Sequence, residues 1–427
     1  MSRVERLRER AAVLAGRATA TASRLSGRGS GSTLPGRIGL LIDPGLVRGL
    51  SRARPALTVS GTNGKTTTTR FLAAAIGATR PVVTNASGAN LVTGVASALL
   101  ASRAARSTTA VLEVDEFALP GVLDAIQARV IVLLNLSRDQ LDRGGEVASH
   151  VARWAVAVAA HDDATVVANS DDPLVCAAVL KARPDSHRVV WVGTGDSSTT
   201  DAPLCPRCHS AWAQITPTWR CGVCGLVAPT PTWAAVDGQV VLPGGERLDA
   251  GLALPGRVNV ANAAMALAAA AALGVPARTG LAALQRVTDV GGRYLRTDFE
   301  GRSLRLLLGK NPAGWVQVLE HLGEGTDPVV VAVNARTADG TDTSWLWDVP
   351  FERLRGRDVV AAGDRADDVS VRLLYADVPH TREADALAGV RLLAAPSTEV
   401  VANYTAFAEV RDRLKTVRGN ASTGEHG

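Results

Sequence analysis

The run Val59-Ser60-Gly61-Thr62-Asn63-Gly64-Lys65-Thr66-Thr67 decides the reading of this 427-residue chain. A short apolar stretch, Ala56-Leu57-Thr58-Val59, leads into it, and a helix-like one, Arg70-Phe71-Leu72-Ala73-Ala74-Ala75-Ile76, follows. Strand, glycine loop and helix in that order make a cradle for a triphosphate. Glycines let backbone N–H groups curl around phosphate oxygens, and the helix N-terminus adds its partial positive charge. Lys65 has the length to reach the outer phosphates, and the Thr66 hydroxyl is a ligand for Mg²⁺. The plainer alternative is a glycine turn before an ordinary helix. Gly64-Lys65-Thr66 in this context favours ATP.

Outward from the loop, short strands and helices alternate. Strands are expected at 81–84, 109–114, 130–134, 165–169 and 189–192, with helical stretches between them, such as 148–160. This alternation predicts an α/β fold with a mainly parallel sheet and helices on both faces. The chain returns after an interruption with Pro255-Gly256-Arg257-Val258-Asn259-Val260-Ala261-Asn262 and an Ala-rich helix to residue 272. Gly291-Gly292-Arg293 reads as a boundary. Further strands are expected at 303–308, 329–333, 358–362 and 390–394, in a smaller α/β domain. The expected division is a basic segment 1–54, a central ATP-binding domain 55–295 and a C-terminal domain 296–427, with a tail that frays after about 417.

Composition supports a globular enzyme: 46% of residues are hydrophobic and 20% charged. No apolar run reaches the roughly 18 residues of a membrane span. The N-terminus lacks an apolar signal core, so export is not expected and a cytoplasmic location is. Residues 1–54 hold eleven arginines against Glu5, Glu9 and Asp43, a net of +8, whereas the whole chain is +5. Such a segment suits anionic lipid headgroups at the inner face of the plasma membrane, or a phosphorylated substrate. A solvated basic helix followed by a loop is the bland alternative. The body is slightly acidic, so this is no nucleic-acid footprint. Residues 27–36, Gly-Arg-Gly-Ser-Gly-Ser-Thr-Leu-Pro-Gly, read as loop.

Four of the five cysteines form Cys205-x2-Cys208-x12-Cys221-x2-Cys224. Two such knuckles point four thiolates inward, the shell that suits a structural Zn²⁺. A ribbon of this kind, at about 201–235, reads as an insertion in the central domain, with metal supplying what its tiny core cannot. Two disulfides are the alternative, disfavoured in a reducing compartment. His209 is adjacent and competes weakly as a ligand. Trp212, Trp219 and Trp233 are expected to pack the ribbon, and Cys176, in apolar sequence, to be core.

Gly61-Thr-Asn-Gly-Lys-Thr-Thr resembles the ATP loop of the Mur ligase superfamily. Glu113, in Val111-Leu112-Glu113-Val114-Asp115-Glu116, resembles that family's Mg²⁺-binding glutamate. Asn135-Leu136-Ser137-Arg138-Asp139-Gln140-Leu141-Asp142-Arg143 is similar to its Asn-x-x-x-Asp-His-Leu-Asp-Arg loop, and Gly256-x-x-Asn259-x-x-Asn262 to its adenine-side helix start. The ribbon, the run Leu308-Gly309-Lys310-Asn311-Pro312-Ala313-Gly314-Trp315 and the run Asp339-Gly340-Thr341-Asp342-Thr343-Ser344-Trp345-Leu346-Trp347-Asp348 narrow this. Together they resemble the MurT branch, the ligase-like subunits of lipid II isoglutaminyl synthase. Gln140 and Val258 stand where ordinary Mur ligases carry histidines, and the lysine those enzymes carbamylate has no counterpart. The second Mg²⁺ of those ligases therefore lacks its first histidine here.

The resemblance implies an ATP-dependent ligase that converts the α-carboxylate of D-glutamate in the lipid II stem peptide to an amide through an acyl phosphate. It implies ATP contacts from Gly61, Thr62, Asn63, Gly64, Lys65, Thr66, Thr67, Asn259, Asn262 and Arg293, with Mg²⁺ on Thr66 and Glu113. Lys65 and Glu113 are then catalytic. Glutamine hydrolysis needs an activated cysteine, which this chain lacks, so a partner glutaminase subunit of the GatD kind is implied. Asp348 matches the aspartate thought to complete the partner's triad; a loop cap or rim salt bridge is its plain alternative. Trp345 and Trp347 are expected as interface anchors or as packing. A stand-alone Mur or folylpolyglutamate-type amino-acid ligase is the competing reading.

Overall fold

The structure, a computed structural model, describes all residues except 1–2, 26–32, 53, 86–88, 103–106, 138–146, 196–201, 217, 255, 289–293, 324 and 424–427. The described residues divide into two compact units, one through Thr288 and one beyond it.

Three helices open the first unit: α1 (Arg3–Leu25), α2 (Leu34–Ile42) and α3 (Leu46–Ser51). Ala12, Leu46 and Leu100 bury a small core among them. Leu34-Pro35-Gly36 therefore starts a helix, where a loop was expected; Pro35 lies in the first turn, where its missing N–H costs nothing. A Cβ on Gly36 would meet the Thr93 carbonyl oxygen at 2.0 Å, so that glycine serves helix packing. The rest of the expected loop, 26–32, lies outside the described residues.

The core of the unit is a sheet ordered β2-β3-β1-β4-β5-β6-β7-β8-β9. Its strands are β1 (Ala56–Ser60), β2 (Val82–Thr84), β3 (Thr109–Glu113), β4 (Ala128–Leu133), β5 (Thr165–Asn169), β6 (Val189–Gly193), β7 (Trp233–Val236), β8 (Gln239–Val241) and β9 (Arg247–Asp249). Pairing is parallel from β2 through β7, and the last two strands add on antiparallel. Every residue of β1 and β3 is buried, as befits central strands covered on both faces. The interleaved helices are α4 (Lys65–Gly77), α5 (Val92–Ala101), α6 (Leu119–Ala125), α7 (Val147–Ala159), α8 (Pro173–Ala182), α9 (Arg257–Ala271) and α10 (Ala277–Leu284). Val95 and Leu99 of α5, Val122 of α6, Trp154 of α7 and Val175 of α8 share one core with Leu112, Ile131 and Val166 of the sheet. On α4, Phe71 and Leu72 are buried, and that helix packs against the Ala-rich α9 and against α10.

The second unit is a six-stranded sheet ordered β10-β11-β15-β12-β13-β14. The strands are β10 (Tyr294–Phe299), β11 (Arg302–Leu308), β12 (Val329–Ala332), β13 (Val359–Ala362), β14 (His380–Arg382) and β15 (Ser397–Ala402). Only β10 runs antiparallel to its neighbour. Helices α11 (Pro312–Leu322), α12 (Ala366–Tyr375), α13 (Ala386–Leu393) and α14 (Tyr404–Thr423) cover it, with 3-10 turns at Ser344–Asp348 and Phe351–Leu354. The strand expected at 390–394 is instead the end of α13. Asp385 caps that helix, accepting the Ala388 N–H at 2.8 Å, and Leu387 and Val390 turn one face into the core.

Candidate functional site

The chain order reverses beside β1, which sits between β3 and β4. Ligands of open α/β sheets bind beyond the carboxyl ends of strands at such a switch point. There Gly61 and Gly64 hold φ of 146° and 80°, a region that side chains resist. A Cβ on Gly64 would stand 2.6 Å from Asn262 Oδ1, and one on Gly61 2.8 Å from Leu134 Cβ. The loop between them is stapled to the end of β4. The Asn63 N–H donates to Asn135 Oδ1 (2.8 Å), and Asn135 Nδ2 donates to the Asn63 carbonyl (3.1 Å). The Thr62 N–H donates to the Asn135 carbonyl (2.9 Å), and Ser137 N–H to Thr62 Oγ1 (3.0 Å). Asn135 and Ser137 thus fix the loop's shape; residues 138–143 of that motif lie outside the described residues.

Lys65 opens α4 and is buried. Its ammonium donates to the Thr62 carbonyl at 3.0 Å, to the Gly61 carbonyl, and to Glu116 Oε2 at 2.9 Å. Thr66 and Thr67 follow in the same buried first turn. Sequence reading missed Glu116 as the lysine's partner, though it lies three residues past Glu113 in the same quoted run. Trp154 Nε1 donates to the Glu116 carbonyl at 3.0 Å and holds that turn.

Glu113 ends β3, in register with Val59 of β1. It is buried, so it is no solvated surface carboxylate. Asn85 grips its backbone from both sides: Glu113 N–H to Oδ1 at 2.8 Å, and Nδ2 to the Glu113 carbonyl at 2.7 Å. Asn90 Nδ2 reaches Oε1 at 3.5 Å, while Oε2 is buried without a partner. A buried carboxylate oxygen left unsatisfied is costly, and a cation there would satisfy it. At the start of α9, Asn262 Oδ1 accepts from Thr68 Oγ1 (3.2 Å), and Asn262 Nδ2 donates to Asn259 Oδ1 (3.5 Å). Both asparagines therefore belong to the loop's surroundings. Arg293 lies outside the described residues.

The four cysteines meet. Sγ atoms of Cys205, Cys208, Cys221 and Cys224 all lie within 4.8 Å of one another, with Cys205–Cys224 at 3.6 Å and Cys208–Cys221 at 3.5 Å. A disulfide would bring sulfurs to about 2.05 Å. Tetrahedral thiolates at about 2.3 Å from Zn²⁺ stand about 3.8 Å apart, which the spacing approaches. The donor set therefore fits zinc. The Ser210 hydroxyl and N–H hold the Cys208 thiol down to about 6, whereas burial pushes Cys205 up to about 12. His209 is exposed and outside the cluster. Trp212 and Trp219 pack the ribbon at 5.6 Å, and Trp219 Nε1 ties it to the Asp171 carbonyl at 2.9 Å. Trp233 instead begins β7, paired with Val192, so it belongs to the sheet.

Cys176 is core. Its thiol is fully buried, donates toward the Asn169 and Ser170 carbonyls, and is pushed well above its ordinary range by burial and then by Asp172 and Asp171.

In the second unit, Asn311 caps α11 by accepting the Gly314 N–H at 2.9 Å, and Trp315 lies buried under Gly309, whose Cβ would touch the ring at 2.8 Å. Trp345 packs on Trp315 at 5.9 Å. Trp347 is 54% exposed, edge-on to Tyr375 at 5.1 Å. Asp348, next to it at the end of the 3-10 turn, faces solvent.

Residues 59–270 match the family model for the Mur ligase middle domain, and residues 308–407 that for the MurT ligase C-terminal region. The subunit MurT of lipid II isoglutaminyl synthase (glutamine-hydrolyzing) from Streptococcus pneumoniae is 30% identical over 91% of this chain and 94% of its own length. Among solved structures, a pseudomurein peptide ligase type C from Methanothermus fervidus superposes with a TM-score of 0.67 at 18% identity, covering 87% of this chain and 80% of that one. Mycobacterium tuberculosis folylpolyglutamate synthase complexed with ADP does so at 0.60 and 18%, over 86% and 92%. These two likenesses establish the Mur ligase fold. With a relative matched along nearly its whole length and a C-terminal region of its own type, the chain belongs to the MurT family of Mur ligase-like subunits.

Proposed function

We propose that this chain is the ATP-using subunit of a lipid II isoglutaminyl synthase, amidating the α-carboxylate of D-glutamate in the stem peptide with ammonia from a separate glutaminase subunit. The observation that carries the ATP half is the buried, unpartnered Glu113 Oε2 at the strand end beside a glycine loop whose lysine is already buried. The cysteine inventory supports the division of labour: four thiols are gathered in one metal-type cluster and the fifth is a buried thiol that holds its proton, which leaves no cysteine to attack glutamine. The substrate follows from the name carried by the full-length relative.

A carboxylate is a poor electrophile. Attack of its oxygen on the terminal phosphorus of ATP releases ADP and leaves an acyl phosphate. Ammonia then adds to the acyl carbon, loses a proton, and phosphate departs as the amide forms. This chain's residues supply charge and position. Lys65, now held by Glu116, would exchange that carboxylate for the outer phosphates and stabilise charge moving onto the leaving oxygen. Thr66 and Glu113 would hold Mg²⁺, which neutralises phosphate charge. Gly61 and Gly64 keep the loop backbone open to phosphate, and Asn259 and Asn262 stand on the adenine side. Asp348, exposed, would orient the partner's imidazole as the third member of a triad. The four cysteines would hold a closed, structural Zn²⁺.

The test is ATP-dependent amidation of lipid II with free ammonia and with glutamine, each with and without the glutaminase. Amide from ammonia with this chain alone, and from glutamine only with the partner, is the expected result. ATP turnover that needs a free amino acid, with no amidation under any condition, would instead establish a stand-alone ligase.

A further inference from the structure

The outward face of α1 is unusual for a surface helix. Its inner side is set by Ala12 and Gly16, which are buried; a Cβ on Gly16 would come within 2.6 Å of Leu100. On the opposite side Val4, Leu7, Ala11, Leu14, Ala18 and Ala22 recur at three- and four-residue steps and are all exposed, Val4, Leu7 and Leu14 by 73%, 59% and 70%. At 100° per residue they form one continuous seam. Arg3, Arg6, Arg10 and Arg17, also exposed, fall along one flank of that seam. The acids lie on the other side of the helix: Glu9 faces α3, close enough that a Cβ on Gly49 would touch it. Arg17 reaches the Leu100 and Ser102 carbonyls at 3.2 and 3.3 Å, and the exposed Arg3, Arg6 and Arg10 line the flank toward the helix N-terminus.

A solvated basic helix has no use for leucines at the centre of its outer face. An apolar seam edged with arginine is the composition of a helix lying in a membrane interface, with aliphatic groups among the acyl chains and guanidinium groups on phosphates. We propose that α1 docks this protein on an anionic lipid bilayer. Charge complementarity selects this occupant over a second copy of the chain, since an anionic surface attracts the arginine flank whereas a second copy presents the same basic segment, net +8 over residues 1–54. The inference goes beyond the amidation reading. Binding to vesicles is measured without turnover, so either can fail alone.

The experiment uses the full chain with vesicles of equal parts phosphatidylglycerol and phosphatidylcholine, and of phosphatidylcholine alone, read by co-sedimentation. Binding to the anionic vesicles that weakens with salt is expected. Arg3→Gln/Arg6→Gln/Arg10→Gln should weaken it by about fivefold per arginine, about a hundredfold in all. Leu7→Glu/Leu14→Glu should abolish it while leaving the thermal unfolding midpoint unchanged, because both side chains are exposed. Equal binding to the two vesicle types, or equal binding by wild type and the Leu7/Leu14 variant, would overturn the proposal. So would self-association in solution that this variant removes without any vesicle binding, which would give the seam to a second copy.

Discussion

At the scale of single residues, Lys65 and Glu113 differ in how their needs are met. Lys65 is saturated by two carbonyls and Glu116, so a nucleotide must compete for it; Glu113 keeps one buried oxygen unsatisfied. Lys65→Ala removes the positive charge that the phosphates would claim. It should lower ATP-dependent amidation by about 10²–10³-fold, the usual loss for one charge-stabilising donor. Complex formation with the partner should survive, because the residue is buried in the loop; a fully active Lys65→Ala enzyme would remove the loop from the mechanism. Asp348 poses a separable question, since it lies in the second unit and is exposed. Asp348→Asn keeps shape and removes charge. Glutamine-dependent amidation by the complex should fall by up to about 10⁴-fold, as when a triad aspartate is neutralised elsewhere, while ammonia-dependent amidation persists. Parallel loss of both activities would mean that Asp348 acts on the fold or on ATP.

At the scale of elements, the ribbon is the part whose stability depends on something other than packing. Its isolated bridges, Gln214 with Arg220 and Arg220 with Val227, cannot hold a fold of this size by themselves. Fresh protein should carry about one zinc equivalent, and Cys221→Ser or chelation should shift the fluorescence of Trp212 and Trp219, which share the cysteines' core. Metal content below about half an equivalent would count against zinc. The same scale shows what the sequence could tell and what it hid. The phosphate loop, β1, β3 and β5 were legible because apolar runs between turn signals leave little choice, and the ribbon because four cysteines at fixed spacing state their geometry. The strand β15 was hidden. It carries Glu399 in the middle of the second sheet, where a charge argues against a strand. The sheet accommodates it by placing Arg305 of β11 opposite, with Nε 2.7 Å from its carboxylate. The largely apolar stretch 390–394 just before it reads as the strand instead, though Asp385 signals a helix start. Glu116 was hidden for a related reason: two acids three residues apart look alike until the fold gives one to lysine and leaves the other buried with one oxygen unsatisfied.

For the molecule as a whole, the distribution of perturbed carboxylates makes acid a probe of the C-terminal unit. Glu300 is held below the usual carboxylate range by Arg391, Asp367 by Arg382, Asp412 by Arg411, and Asp342 by the Ser344 N–H. Burial pushes Glu352 and Asp385 upward, yet Arg372 and Arg413 pull both net below their ordinary values. In each case the folded state gives up its proton more readily than the unfolded chain does. Stability from these pairs is therefore fully present above the unfolded carboxylate range, about pH 4, and is lost as pH falls through the lower folded values. Glu399 has the opposite sign: burial, opposed by Arg305, raises it, and its contribution is lost as pH rises through its folded value. The depressed group outnumbers it six to one, so the net slope is set by them. Most of these pairs are exposed and each contributes little alone, so the prediction concerns their sum and its screening. Calorimetry of the full chain should show the unfolding midpoint falling between pH 5 and pH 3. Salt should shrink that fall by weakening the arginine pairs at neutral pH. A midpoint that holds steady to pH 3, or a fall that salt leaves untouched, would show that the arginine pairs drawn across this unit do not contribute to its stability.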